Sequence, residues 1–135
     1  MGIIPLDLTT PDIEAKTYLG IVQSIEYQVK VGEKWNKDGT QTTSLEEMLS
    51  APVEKQRIHI RIYLPDVGQS VWHDLYMMES ARGFLKDFCR ATGVELSPSG
   101  FDIEQALNKE VMVDIGIEQS DGYEPRPRIN KIYKP

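Results

Sequence analysis

The chain has 135 residues, 40% of them hydrophobic and 27% charged, with a formal net charge of −6 and a single cysteine, Cys89. That length and balance suit one domain with its own core, and a lone cysteine excludes an internal disulfide framework. No apolar run reaches membrane-spanning length, and residues 1–11 lack the layout of a signal peptide, so a cytoplasmic setting and no membrane partner are expected. The negative total conceals two basic islands. Residues 55–64 carry +3 through Lys55, Arg57 and Arg61, and residues 123–135 carry +3 through Arg126, Arg128, Lys131 and Lys134 against Glu124. Removing both islands leaves −12 for the remainder. A basic groove on an acidic body fits this pattern, because the field at a face comes from charges within about a Debye length.

Residues 1–15 show no sustained periodicity and read as a flexible arm ahead of a single domain over residues 16–135. Between residues 16 and 31, Leu19, Ile21, Ile25, Tyr27, Val29 and Val31 occupy odd positions. This alternation predicts a long, half-buried strand with those side chains inward. Gln23 interrupts the set, and Gly20 is suited to a bend or bulge. A polar connection, residues 32–52, holds Trp35, a Lys37-Asp38-Gly39 turn signal and one helical turn, where Ser44 and Glu47 have capping-box spacing. Residues 57–64 alternate cleanly, with Ile58, Ile60, Ile62 and Leu64 on one face and Arg57, His59, Arg61 and Tyr63 on the other.

After a turn at residues 65–68, a strand over residues 70–78 places Val71, Leu75 and Met77 beside His73, and Trp72, Asp74 and Tyr76 opposite. Residues 79–91 read as a helix, with Ser80 as N-cap, Phe84, Leu85, Phe88 and Cys89 as its apolar stripe, and Gly93 as its stop. A short helix is expected at residues 102–107, a strand at 110–118 and, after the Ser120-Asp121-Gly122 turn signal, a last strand at 123–133. Pro125 and Pro127 confine the start of that strand to an edge or bulge.

The order β–β–β–α–β–β is that of a mostly-β, five-stranded Greek-key barrel of the OB type, with a helix between strands three and four. Its binding face uses strands two and three and the connections 1–2 and 4–5. Opposed residues of an antiparallel pair point to one face, so burying Ile58, Ile60 and Ile62 beside Val71, Leu75 and Met77 allows only registers in which even residues of the first strand face odd residues of the second. Those registers gather Arg57, His59, Arg61, Tyr63, Trp72, Asp74 and Tyr76 outside. Aromatics beside arginines suit single-stranded nucleic acid, since bases stack on rings while guanidinium groups meet phosphates. Tyr and Trp also suit β-sheets for their own sake. Trp35 either caps a bound base or folds over the barrel end. Neither a catalytic constellation nor a cofactor or metal-ligand pattern is present, so an enzyme is not expected.

The run Phe101-Asp102-Ile103-Glu104, then Ala106-Leu107 and residues 109–117 (Lys-Glu-Val-Met-Val-Asp-Ile-Gly-Ile), resembles small bacteriophage-type single-stranded-DNA-binding proteins. So does the ending from Gly122 through Tyr123, Arg126 and Arg128 to Ile132. The resemblance covers about the last third of the chain and implies an OB fold acting in viral DNA replication or recombination. With Tyr123, Arg126 and Arg128 of the second basic island, the candidate nucleic-acid-binding residues are Trp35, Arg57, His59, Arg61, Tyr63, Trp72, Tyr76, Tyr123, Arg126 and Arg128. Expected partners are single-stranded DNA, RNA by the same chemistry, and replication or recombination proteins. Many such proteins end in an acidic recruiting tail, whereas this sequence ends Tyr133-Lys134-Pro135. The rival reading is a protein-interaction module using the same face, because such faces are also rich in Tyr, Trp and Arg.

Overall fold

In the computed structural model, which describes residues 13–35, 43–119, 121, 122 and 124–135, the alternating segments become strands of one antiparallel sheet. Its strands are β1 (Thr17–Val31), β2 (Lys34–Trp35), β3 (Gln56–Leu64), β4 (Gln69–Tyr76), β5 (Glu110–Glu118) and β6 (Arg126–Tyr133). They lie in the order β4-β3-β1-β5-β6, with β2 folded back on the end of β1. The sheet thus has six strands where five were expected, and it is not closed by hydrogen bonds. Its two end strands nevertheless come side by side, with Cα atoms of β4 and β6 within 8 Å. Pro127 lies within β6, and having no N–H it suits only an edge strand.

The expected inward set of β1 holds for only half of the strand. Ladder register shifts between Val22 and Ser24, so Gln23 is an extra residue opposite β3. One inserted residue exchanges the two faces of a strand. Before the bulge, even-numbered Tyr18 and Val22 are buried; after it, odd-numbered Ile25, Tyr27 and Val29 pack against the core. Leu19 and Ile21 therefore sit on the other face, and Val31 is exposed. Gly20, the expected bend, instead lies against Ile62.

The β3–β4 register pairs Ile58 with Leu75, Ile60 with His73 and Ile62 with Val71, as the alternation required. Their inner faces join Val111, Val113 and Ile115 of β5 and Leu85, Phe88 and Cys89 of a helix to form one core. That helix, designated α2 (Arg82–Thr92), follows the single capped turn α1 (Leu45–Leu49), in which Ser44 Oγ accepts from Glu47 N at 3.1 Å. Ser80 does not cap α2: residues 79–81 form a 3₁₀ turn, and Ala81 holds the N-cap position. Gly93 ends the helix at φ +80°, as expected. Phe84 leaves the apolar stripe and is half exposed. Ile13, which falls in the expected arm, is buried in the core; residues 1–12 lie outside the described residues. Among the described residues, no helix is long and apolar enough to cross a membrane.

A Cβ at Gly20 would stand 2.5 Å from Cγ2 of the fully buried Ile62. Ile62 is stiff at χ1 and packed on both sides, so it cannot swing away. Gly20→Ala should therefore destabilise the protein by about 1–3 kcal/mol, the usual cost of overpacking a core. Chemical denaturation checks this: equal midpoints for the two proteins would show that the contact relaxes freely.

Candidate functional site

The β3–β4 pairing places Arg57 opposite Tyr76, His59 opposite Asp74 and Arg61 opposite Trp72 on the outer face. β1 extends that face, because Gln28 pairs with Arg57 and Ser24 with Arg61. The β1–β2 turn brings Trp35 back beside it. Nine of the ten candidate residues thus reach this face or its border with β6. Tyr63 pairs with Ser70 near the hairpin end, further from the aromatic cluster, and Tyr123 lies outside the described residues.

Arg57 organises the face from beneath. Although it is only 4% exposed, its Nε donates to Gln28 Oε1 at 2.6 Å and its Nη1 lies 3.4 Å from Asp74 Oδ2. The guanidinium carbon stands 4.4 Å from the centre of the Trp35 ring, a cation–π contact, and Trp35 meets Tyr76 edge-on at 5.9 Å. A buried charge requires such partners, since unpaired it would be severely destabilising. Arg57 is thus a holder of other groups rather than the open phosphate-binding cation that alternation alone suggests. Gln28 belongs to the same network and is absent from the candidates. Alternation puts Gln28 on the outer side of β1, but only the pairing of β1 with β3 sets it opposite Arg57.

Asp74 joins the two halves of the face, accepting from His59 Nδ1 as well as facing Arg57. Burial raises its carboxyl pKa, but the His59 hydrogen bond and the Arg57 charge outweigh that and hold it below the ordinary value. His59, oriented by this bond, stacks under Trp72 with ring centres 3.9 Å apart and planes 13° from parallel. Arg61 lies 5.7 Å from the same indole. Trp72 is fixed from below and still 46% exposed.

Where β4 meets β6, a cavity of about 530 Å³ opens. It is lined by Trp72, Asp74 and Tyr76 from β4, Arg126 and Arg128 from β6, Glu118 from β5 and Phe84 from α2. Two candidate groups far apart in sequence therefore share one concavity. Arg128 is 3.9 Å from Glu118, whereas Arg126 has no ion pair among the described residues. Phe84 was expected in the core. The spacing of Leu85, Phe88, Cys89 and Thr92, at i, i+3, i+4 and i+7, leaves it on the flank of the buried stripe. Cys89 is buried, and desolvation pushes its thiol up to about 11, which makes it a packing residue.

The chain matches no protein-family model, no curated protein and no solved structure. Function must therefore be read from the site itself.

His73 borders the same cavity from the inner side of β4, and its Nε2 has no hydrogen-bond partner among the described residues. Desolvation lowers its pKa from 6.5 to about 4, with the Asp74 charge opposing and Arg128 assisting. The unfolded chain therefore takes up a proton first on acidification. Its contribution to stability is complete above the unfolded value of 6.5 and is lost as pH falls towards about 4. By the lower limit the loss approaches roughly 3 kcal/mol. Urea denaturation of the parent and of His73→Gln across this range measures it: the variant should lose less stability, and parallel losses would assign the effect elsewhere.

Proposed function

We propose that this protein binds single-stranded nucleic acid, with DNA as the expected ligand, on the outer face of β3 and β4. The observation that carries the reading is Trp72: a half-exposed indole, clamped by His59, flanked by Arg61 and bordering a cavity that holds Arg126 and Arg128. An exposed aromatic offers each base a π-face regardless of sequence, and cations around it meet the phosphates. Immobilising the ring in advance lowers the entropy lost on binding.

Topology supports the same reading. With β2 set aside, the order β4-β3-β1-β5-β6 corresponds to an OB-type arrangement 3-2-1-4-5, with α2 following the third long strand. The face named here is the one that fold uses for oligonucleotides. The resemblance of the last third of the sequence to bacteriophage-type single-stranded-DNA-binding proteins points the same way, to work in viral DNA replication or recombination.

Titration with unstructured single-stranded DNA, RNA and duplex DNA at two salt concentrations tests the proposal. Single strands should bind more tightly than duplex, and log affinity should fall with log salt by about 0.7 for each phosphate neutralised. Binding that ignores salt or prefers duplex would overturn it and favour a protein partner on this face.

Trp72→Ala should weaken single-strand binding by about 1–3 kcal/mol, the scale of one stacked base. It should leave stability closer to the parent than Ile60→Ala, which opens a cavity in the core at a cost of about 2–5 kcal/mol. Fluorescence titration and thermal melts separate the two effects. Full affinity in Trp72→Ala would remove the stacking platform.

A further inference from the structure

We infer that the cavity between β4, β6 and the start of α2 takes up one nucleotide, with its base against Phe84 and its phosphate beside Arg126. This rests on the nucleic-acid reading above and extends it from the exposed sheet face to a bounded pocket with its own aromatic.

Size, placement and chemistry converge on this assignment. The volume, about 530 Å³, falls within the roughly 300–1,000 Å³ of small-ligand sites. Phe84 is 50% exposed, although the helix carrying it buries Leu85, Phe88 and Cys89 completely or nearly so. Its place on the flank of the buried stripe sets this large aromatic at the cavity wall, where its ring is open to a ligand. The cations of the cavity differ in availability. Glu118, the cross-strand partner of Arg126, lies 3.9 Å from Arg128, and Asp74 is occupied by Arg57 and His59, so Arg126 is the cavity cation with no ion pair among the described residues. An apolar ring and a guanidinium outside any ion pair among the described residues, on one concavity, match a base and a phosphate.

Trp72 supplies the route. It belongs to the outer face and also lines this cavity. A strand stacked on Trp72 therefore needs only to pass over the edge of β4 to place its neighbouring nucleotide against Phe84. Among the described residues no ladder joins β4 and β6, and the cavity lies at their junction.

The test uses the full chain and unstructured oligodeoxynucleotides, followed by tryptophan fluorescence. Phe84→Ala should lower affinity by about 5- to 100-fold, the range for losing one stacked base, without changing the salt slope. Phe84→Tyr should restore most of it, since the π-face returns. Arg126→Gln should weaken binding and reduce the salt slope by about 0.7. Thermal melts of Phe84→Ala should stay near the parent, because the ring is half exposed. Independently of folding in any variant, ultraviolet crosslinking of the parent to iododeoxyuridine-substituted DNA should label the peptide containing Phe84. If Trp72→Ala weakens binding while Phe84→Ala does not and the crosslink is absent, the pocket is wrong and the face reading stands. If neither aromatic substitution changes affinity, the strand binds elsewhere and both the pocket and the β3–β4 face fall; if the parent itself does not bind, the nucleic-acid reading falls.

Discussion

β1 pairs with β5 through residues 17–21 and with β3 through residues 21–29, so one strand has to present an inward face to both halves of the sheet. A regular strand curling between two neighbours could not keep both halves facing one core without a local change of twist. The extra residue at Gln23 supplies that change and exchanges the faces. It buries Tyr18 and Val22 ahead of the bulge and directs Gln28 outward after it, under Arg57. The outer face of β3 and β4 is thereby given a third strand of support. Without the bulge, Gln28 would point into the core, and Arg57 would lose the partner that makes its burial tolerable.

From that support follows a layered polar and aromatic face. Gln28 and Asp74 hold Arg57; Arg57 underlies Trp35; Asp74 orients His59; His59 underlies Trp72. The exposed Trp72 and the partly buried Trp35 thus each rest on a group whose own position is set by a hydrogen bond or ion pair. Such a network is costly if half satisfied and rigid when its members are paired. A carboxylate on a face proposed to meet phosphates would ordinarily repel them. Here Arg57 and His59 engage Asp74, so its charge is largely spent within the protein.

The open seam has a geometric origin as well. Five long strands, each antiparallel to the next, leave β4 and β6 running in the same direction. Closing the sheet would require a parallel ladder, slightly weaker per residue, and Pro127 removes one donor from β6. The strands approach without pairing among the described residues, and the space at their junction becomes the cavity that brings the aromatics of β4 to the arginines of β6. Packing of α2 on the core brings Phe84 to its wall.

Alternation in the sequence determined the β3–β4 hairpin, the parity of its register and the membership of its outer face, because a period of two leaves no other way to bury four successive inward aliphatics; which even residue meets which odd one came from the structure. Local chemistry likewise determined the Ser44–Glu47 cap and the Gly93 stop, which depend on residues within one helical turn. The face exchange in β1 was not legible, since Gln23 is an ordinary polar residue until a partner strand shows that it has none opposite. Nor was the burial of Arg57, whose partners Gln28 and Asp74 lie 29 and 17 residues away. The pocket belongs to the tertiary structure alone. Trp72, Phe84 and Arg126 come from three elements, and only the curl that brings the two sheet edges together places them around one space.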